Sequence, residues 1–371
     1  MSTANIVGCD YSAAKTKPNA TWIARGKLVS STLVVDSLEN VGSDLLLESL
    51  LTLKKCSSSQ PCASETCASE TSASEPSALQ SSSAGVKDSE PPAWIIGLDF
   101  PFSFPAPFAE ILLAANASVS SRHSPSSLSS PKSLTAPKSL TSPKSLTAPT
   151  WFKLAECVSS LSFPELLALL QSAKPGMGGE VKRLTDNATA PKAQSPLHQI
   201  NPGMLKMTWQ GMQLLLALHN HGFNVLPFAT PQCFSPIPQN SETAFRAAVM
   251  EVYPAAVLKS LGLPWRRYKG KDQEAKQLRQ SILTNLTGTR EKLRSVNRIA
   301  IAVPELVLPP NVEQFALACD DALDAVVAAL GAAIAYLNPG QTAPPRQISI
   351  DMIALEGWIY VPYPQNNEAT P

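Results

Sequence analysis

The run Ala318-Cys-Asp-Asp-Ala-Leu-Asp-Ala-Val-Val-Ala-Ala-Leu-Gly-Ala-Ala-Ile-Ala-Tyr336 constrains the fold more than any other stretch of this 371-residue chain. It predicts a helix that is apolar on nearly every side, and such a helix must be buried among other elements. Its first turns carry Asp320, Asp321 and Asp324. Asp321 and Asp324 are three apart and share one helical face, so burial of the helix buries its acids or sets them at the mouth of a cleft. Two ordinary roles compete: Asp320 as an N-cap, and the others as partners of the helix dipole. Those roles account for one or two acids more easily than for three.

Further acids stand in apolar surroundings. Ala4 to Ser12 is short, apolar and free of proline, which predicts a buried strand ending at Asp10. A buried carboxylate is costly unless a metal ion, a lysine or arginine, or a nest of backbone N–H groups meets it. The plainer alternative is that Asp10 closes a turn with Ser12. Trp94 to Pro101 is apolar without alternation, as suits a strand covered on both faces, and carries Asp99 at its end. Ala247 to Pro254 is a third such strand, carrying Glu251 among apolar neighbours.

Around these runs the patterning predicts strands over Thr21–Ser30 and Thr32–Glu39, joined as a hairpin, and a strand over Asn224–Ala229. Helices are expected over Ser43–Lys55, Pro105–Ala115, Trp151–Ser160, Phe163–Ser172, Leu205–His221, Ala255–Gly262, Lys271–Thr287 and Arg290–Val296. Residues 56–92 repeat CASET-like units, and residues 117–149 repeat PKSLTA-like units. Both lack the large apolar groups needed to offset the entropy of ordering, so they read as disordered insertions in a single domain spanning 1–371. Pro175 to Gly179 reads as a break between helices. Its glycines lack the strand and Lys-Ser/Thr that would make a phosphate loop specific. His219 and His221, two apart on a helix, point in different directions and make a poor metal pair.

Charged residues are 16% of the chain and the net charge is +1, which excludes a global field for holding nucleic acid. Local patches must then do so. Trp265 to Lys271 packs Arg266, Arg267, Lys269 and Lys271 beside two aromatics. It reads either as an ordinary solvated loop or as a contact for phosphate and a stacked base or sugar. The seven cysteines form no CxxC pair, and no spacing with the four histidines matches a zinc site. Reduced thiols in a cytoplasmic protein are expected, with no leader segment and no membrane span, since the longest apolar run, Ala325 to Leu337, is too short to cross a bilayer.

The order of elements is three antiparallel strands, a helix, a strand ending in an acid, helices, another acid-bearing strand and a late helix led by acids. It resembles the ribonuclease H-like fold, an α/β mixed sheet of three antiparallel strands followed by parallel ones. The local text is similar to the predicted nucleases called domain of unknown function 429. The motifs are VGCDYSAAK with TWIARG behind it, IIGLDFPFSFP, KRLTD followed by SPL, KMTWQGMQLLL, MEVYP, CDDALDAVVAAL and LEGWIYVP. The resemblance implies that the first and fourth strands lie side by side, so that Asp10 and Asp99 face each other. It also implies a pair of Mg²⁺ or Mn²⁺ ions about 3.5 to 4 Å apart, activating water for phosphodiester cleavage of a nucleic acid. The ligands it implies are Asp10, Asp99, Glu251 and Asp321, with Asp324 helping and Lys15, Arg183 and Asp186 holding phosphate or orienting the site. Ala13 stands where a glycine is common. The alternatives are an ATP-dependent kinase or ATPase of the actin type and a noncatalytic binding protein. The actin-like alternative lacks its second glycine-rich phosphate loop, since Asp99 runs into Phe100-Pro101-Phe102.

Overall fold

The structure is a computed structural model that describes residues 3–12, 21–58, 93–120, 150–200, 203–229, 246–288, 301–345 and 347–362. Most of the two repeat segments, the Arg290–Val296 helix and Lys15 lie outside the described residues. The parts of the repeats that are described are helix ends: α1 (Leu46–Ser58) runs through 56–58, and α2 (Ala106–Ser120) runs through 117–120.

Among the described residues a sheet of seven strands organises the fold, in the order β5-β6-β4-β1-β2-β3-β7. The central strand β1 (Thr3–Asp10) pairs antiparallel with β2 (Thr21–Val29), which pairs antiparallel with β3 (Thr32–Val41). On its other side β1 runs parallel to β4 (Ala93–Asp99), and β4 runs parallel to β6 (Ala247–Glu251). Two short parallel strands close the edges, β5 (Asn224–Val225) on β6 and β7 (Glu305–Val307) on β3. This is the mixed sheet expected from the sequence, with β1 and β4 adjacent. The expected strand at Asn224–Ala229 is confined to its first two residues.

Both faces of the sheet are covered, which is why β1 and β4 read as continuous apolar runs. Val7, Cys9, Ile96, Leu98, Ala247 and Val249 belong to the core that includes residues of α1, α2, α3 (Thr150–Ser160), α4 (Phe163–Met177) and α6 (Met204–Asn220). α4 continues through Pro175, where a break was expected, and ends at Gly178 with a left-handed φ of 72°. A short helix, α5 (Leu184–Ala188), precedes α6. Ala4, Ile6, Ala248 and Met250 face the other core, with α7 (Pro254–Ser260), α8 (Gln273–Leu286), α9 (Pro310–Ala318) and α10 (Asp320–Leu337). Two short helices follow, α11 (Pro339–Thr342) and α12 (Ile350–Glu356). Among the described residues no helix is long and apolar enough to cross a membrane.

α10 is the buried helix that its composition demands, with every residue from Ala322 to Ala335 buried. It lies unusually close to the sheet. Gly8 and Gly97 are register partners on β1 and β4. A Cβ on Gly8 would overlap the backbone of α10 at Ala325 and Ala329, and one on Gly97 would come within 2.8 Å of Ala328 O and 3.0 Å of Ala332 Cβ. Two glycines below and four alanines above therefore let helix and sheet backbones touch. Gly8→Ala is expected to cost about 3 kcal/mol, because backbone atoms cannot yield as a side chain can. Urea denaturation would measure this, and a loss below about 1 kcal/mol would mean that α10 is free to shift outward.

Candidate metal centre

β1 and β4 end level, with Asp10 opposite Asp99. Asp10 shares the residue parity of Ile6 and Gly8, so it points to the α10 side of the sheet. α10 begins beyond these strand ends, and its first buried turn brings Asp324 down onto them. One carboxylate oxygen from each of Asp10, Asp99 and Asp324 lies within 4.8 Å of the others. Asp10 is 8% exposed and Asp324 fully buried. Burial pushes the Asp10 carboxyl well above its ordinary range, and Asp324 and Asp99 raise it further. Asp99 is pushed up to about 8 by burial, opposed by Lys269 and reinforced by Asp324 and Glu251.

The loop from Trp265 to Lys271 delivers the groups that meet Asp324. Arg267 adopts a left-handed φ of 65°, reversing the chain so that its own side chain stays outside while Tyr268 turns in. Tyr268 Oη donates to Asp324 Oδ1 at 2.7 Å, and Lys269 Nζ stands 2.5 Å from Asp324 Oδ2. Arg279 on α8 holds this loop: Nη1 donates to Tyr268 O at 2.6 Å and to Gly270 O at 2.9 Å, and Nε donates to Leu317 O at 2.8 Å. Nothing in the sequence pattern distinguishes Arg279, whose role depends on three distant carbonyls. Arg266 lies over the Trp265 ring at 3.9 Å from its centroid. Arg267 pairs with Glu274 at 3.1 Å in solvent, and Lys271 is exposed. Of the four cations read from the loop, Lys269 alone forms an ion pair with a carboxylate of the triad among the described residues.

Glu251, read from the sequence as a ligand, stands elsewhere. It is the register partner of Leu98, so it points to the opposite face of the sheet from Asp10. There both its oxygens are taken by Arg183, with Nη1 to Oε2 at 2.8 Å and Nη2 to Oε1 at 2.6 Å, and Oε2 also accepts from Phe102 N at 3.0 Å. Burial raises its carboxyl, and Arg183 opposes the rise. Arg183 is itself sealed from solvent and bonds Asp186 through Nη2 at 2.7 Å, so neither residue is exposed to hold a phosphate. Glu356, which the sequence reading did not single out, joins them from α12, accepting from Ala106 N and Leu184 N, each at 2.7 Å. This cluster ties β6, α5, α12 and the chain after β4 together. Its carboxylates are bonded to Arg183 and to backbone N–H groups.

Asp321 is likewise not within the close triad. It lies one turn before Asp324, half-buried with Cys319 and Asp320 in a second acidic group at the start of α10, yet near enough to raise Asp10. The shared face of Asp321 and Asp324 was legible, but which turn reaches the strand ends depends on where α10 meets the sheet.

The donor set suits a hard divalent cation: three carboxylates, no thiolate or imidazole among them, and a buried Asp324 Oδ2 for which no partner completes a hydrogen bond despite the nearby ammonium. The molecule is thus an α/β protein with a mixed sheet and a carboxylate cluster at the ends of its adjacent parallel strands. Residues 234–347 match the family model described as Protein of unknown function (DUF429), a span that holds Glu251, the Trp265–Lys271 loop and α10 with Asp324. No curated protein and no solved structure matches the chain.

Two outcomes follow from this geometry. Arg183→Met is expected to destabilise the fold by about 3 to 5 kcal/mol by leaving Glu251 and Asp186 buried and unpaired. Arg183→Met/Glu251→Gln should recover part of that loss in denaturant titrations, and no recovery would mean that Arg183 acts through packing. In metal chelator, the folded protein retains a proton at Asp99 that the unfolded chain releases, so this group's stabilisation is complete below about pH 4 and is lost as pH rises. The denaturation midpoint should fall up to about pH 8, where Asp99 titrates. Asp99→Asn should flatten the slope, and an unchanged slope would assign it to other groups.

Proposed function

We propose that this protein is a metal-dependent phosphodiester hydrolase, a nuclease that uses Mg²⁺ or Mn²⁺. The observation that carries the reading is the convergence of Asp10, Asp99 and Asp324 from three separate elements at one point, with Asp10 and Asp324 buried, Asp99 half-buried, and Lys269 the cation described against Asp324. Desolvation and mutual repulsion both oppose gathering three carboxylates, and a single ammonium offsets only part of that cost.

Asp10, Asp99 and Asp324 would hold the ion, and Asp321 is the further carboxylate that a second ion would draw on. A bound divalent ion supplies Lewis acidity, lowering the pKa of a water and steadying charge on the phosphoryl and leaving oxygens. Tyr268 fixes the rotamer of Asp324 through Oδ1, leaving Oδ2 to face the cation position. Arg279 keeps Tyr268 in place through the loop backbone. Arg266 and the Trp265 ring offer a cation and an aromatic surface on the same loop, the pairing that binds a phosphate and an adjoining base. The low net charge favours a short, single-stranded or locally opened substrate over a long duplex.

A labelled panel of single strands, duplexes, RNA–DNA hybrids and four-way junctions, incubated with Mn²⁺ or Mg²⁺, tests the reading. Cleavage by the wild type that falls about 100-fold or more in both Asp10→Asn and Asp324→Asn is expected, as for the loss of a group that holds transition-state charge. Equal cleavage by all three proteins would place the activity outside this site. Absence of cleavage by folded wild-type protein across the panel would overturn the nuclease reading in favour of a binding role.

A further inference from the structure

The cation that meets the three carboxylates is bound through one end only. Lys269 Nζ contacts Asp324 Oδ2 at 2.5 Å, with the Asp324 side chain fully buried and the Lys269 side chain 55% exposed. The backbone on either side is pinned, since the carbonyls of Tyr268 and Gly270 both accept from Arg279. The Tyr268 side chain is buried and committed to Asp324 Oδ1. What remains movable is the lysine side chain itself, whose four-carbon stem lies toward solvent and whose ammonium alone reaches inward.

That ammonium contacts one of the three carboxylates that could hold a divalent ion. Asp324 Oδ2 is the buried carboxylate oxygen without a completed hydrogen bond, and the contact that Lys269 makes with it is an ion pair without hydrogen-bond geometry. An ammonium and a divalent cation set against one carboxylate oxygen repel each other, and more strongly in a poorly solvated site than in water.

We propose that Lys269 is the resident counter-ion of the metal-free site, exchanged for the metal on loading and relocated to the mouth of the site as a cation for the substrate's phosphate. The inference rests on the metal-site reading above and adds a sequence of events to it. In the metal-free protein the ammonium offsets part of the repulsion among Asp10, Asp99 and Asp324. When a divalent ion enters, Lys269 swings outward along its exposed stem without disturbing the loop backbone, and joins Arg266 on the solvent side. The phosphate-binding charge of this loop is therefore complete only when the carboxylates are loaded, which links substrate capture to metal occupancy.

The test is lysine acylation of the full chain with limiting acetic anhydride, quantified by mass spectrometry in chelator and in Mn²⁺, with exposed Lys153 as internal control. Release from the ion pair should raise acylation of Lys269 about tenfold in Mn²⁺ while Lys153 stays constant. Calorimetric titration should show Lys269→Met binding Mn²⁺ about tenfold more tightly than the wild type, since no ammonium has to leave. Mn²⁺ binding with constant Lys269 acylation, or with equal or weaker affinity in Lys269→Met, would overturn the exchange and leave the metal site standing. Absence of Mn²⁺ binding by folded wild-type protein and variant alike would overturn the metal site and the exchange together.

Discussion

The contact of α10 with the paired glycines of β1 and β4 is the constraint on which the rest of the molecule depends. Gly8 and Gly97 each precede an aspartate by two positions, so on a strand they share its face. The glycine admits the helix backbone, and the aspartate receives what the helix carries. Ala325, Ala328, Ala329 and Ala332 meet the glycines, and Asp324 immediately precedes that small-residue surface. The close approach is thus also what sets the three carboxylates together. A larger residue at either glycine would lift Asp324 away from Asp10 and Asp99.

Two charge clusters flank the strand ends, and they are resolved differently. On one face Arg183 answers Glu251 and Asp186 with a network of hydrogen bonds, and backbone N–H groups answer Glu356. Such a network is stable because its donors are committed and none can leave. On the other face Asp324, beside Asp10 and Asp99, pairs with an ammonium whose side chain is 55% exposed. The first cluster has the form of a structural bolt. The second is a group of carboxylates that could hold a metal ion, and the first ties β6 to the chain after β4 beside it.

Much of this was legible in the sequence. The unalternating apolar runs ending in Asp10 and Asp99 marked central strands, and the apolar composition of α10 marked its burial. Glu251 was not separable from Asp10 and Asp99 in the sequence, because its identity and strand were visible while its register was not. A one-residue difference in register decides the face of the sheet, and here the even and odd positions of β6 are both apolar up to the acid. Asp321 and Asp324 were distinguishable only through the depth to which α10 enters the sheet. Arg183 and Arg279 take their meaning from partners far away in sequence, which no local pattern carries. β7, α9 and α12 were missed because they are short, and α9 opens within the Pro309-Pro310 pair that reads locally as a loop.

The proposed cation site is formed by Asp10, Asp99 and Asp324. Anomalous diffraction from crystals grown with Mn²⁺ addresses it without relying on a substrate or a variant. The expected result is a peak within about 2.0 to 2.3 Å of oxygens from all three carboxylates, with Lys269 turned outward. A peak confined to Cys319, Asp320 and Asp321, or none with Lys269 still against Asp324, would contradict it.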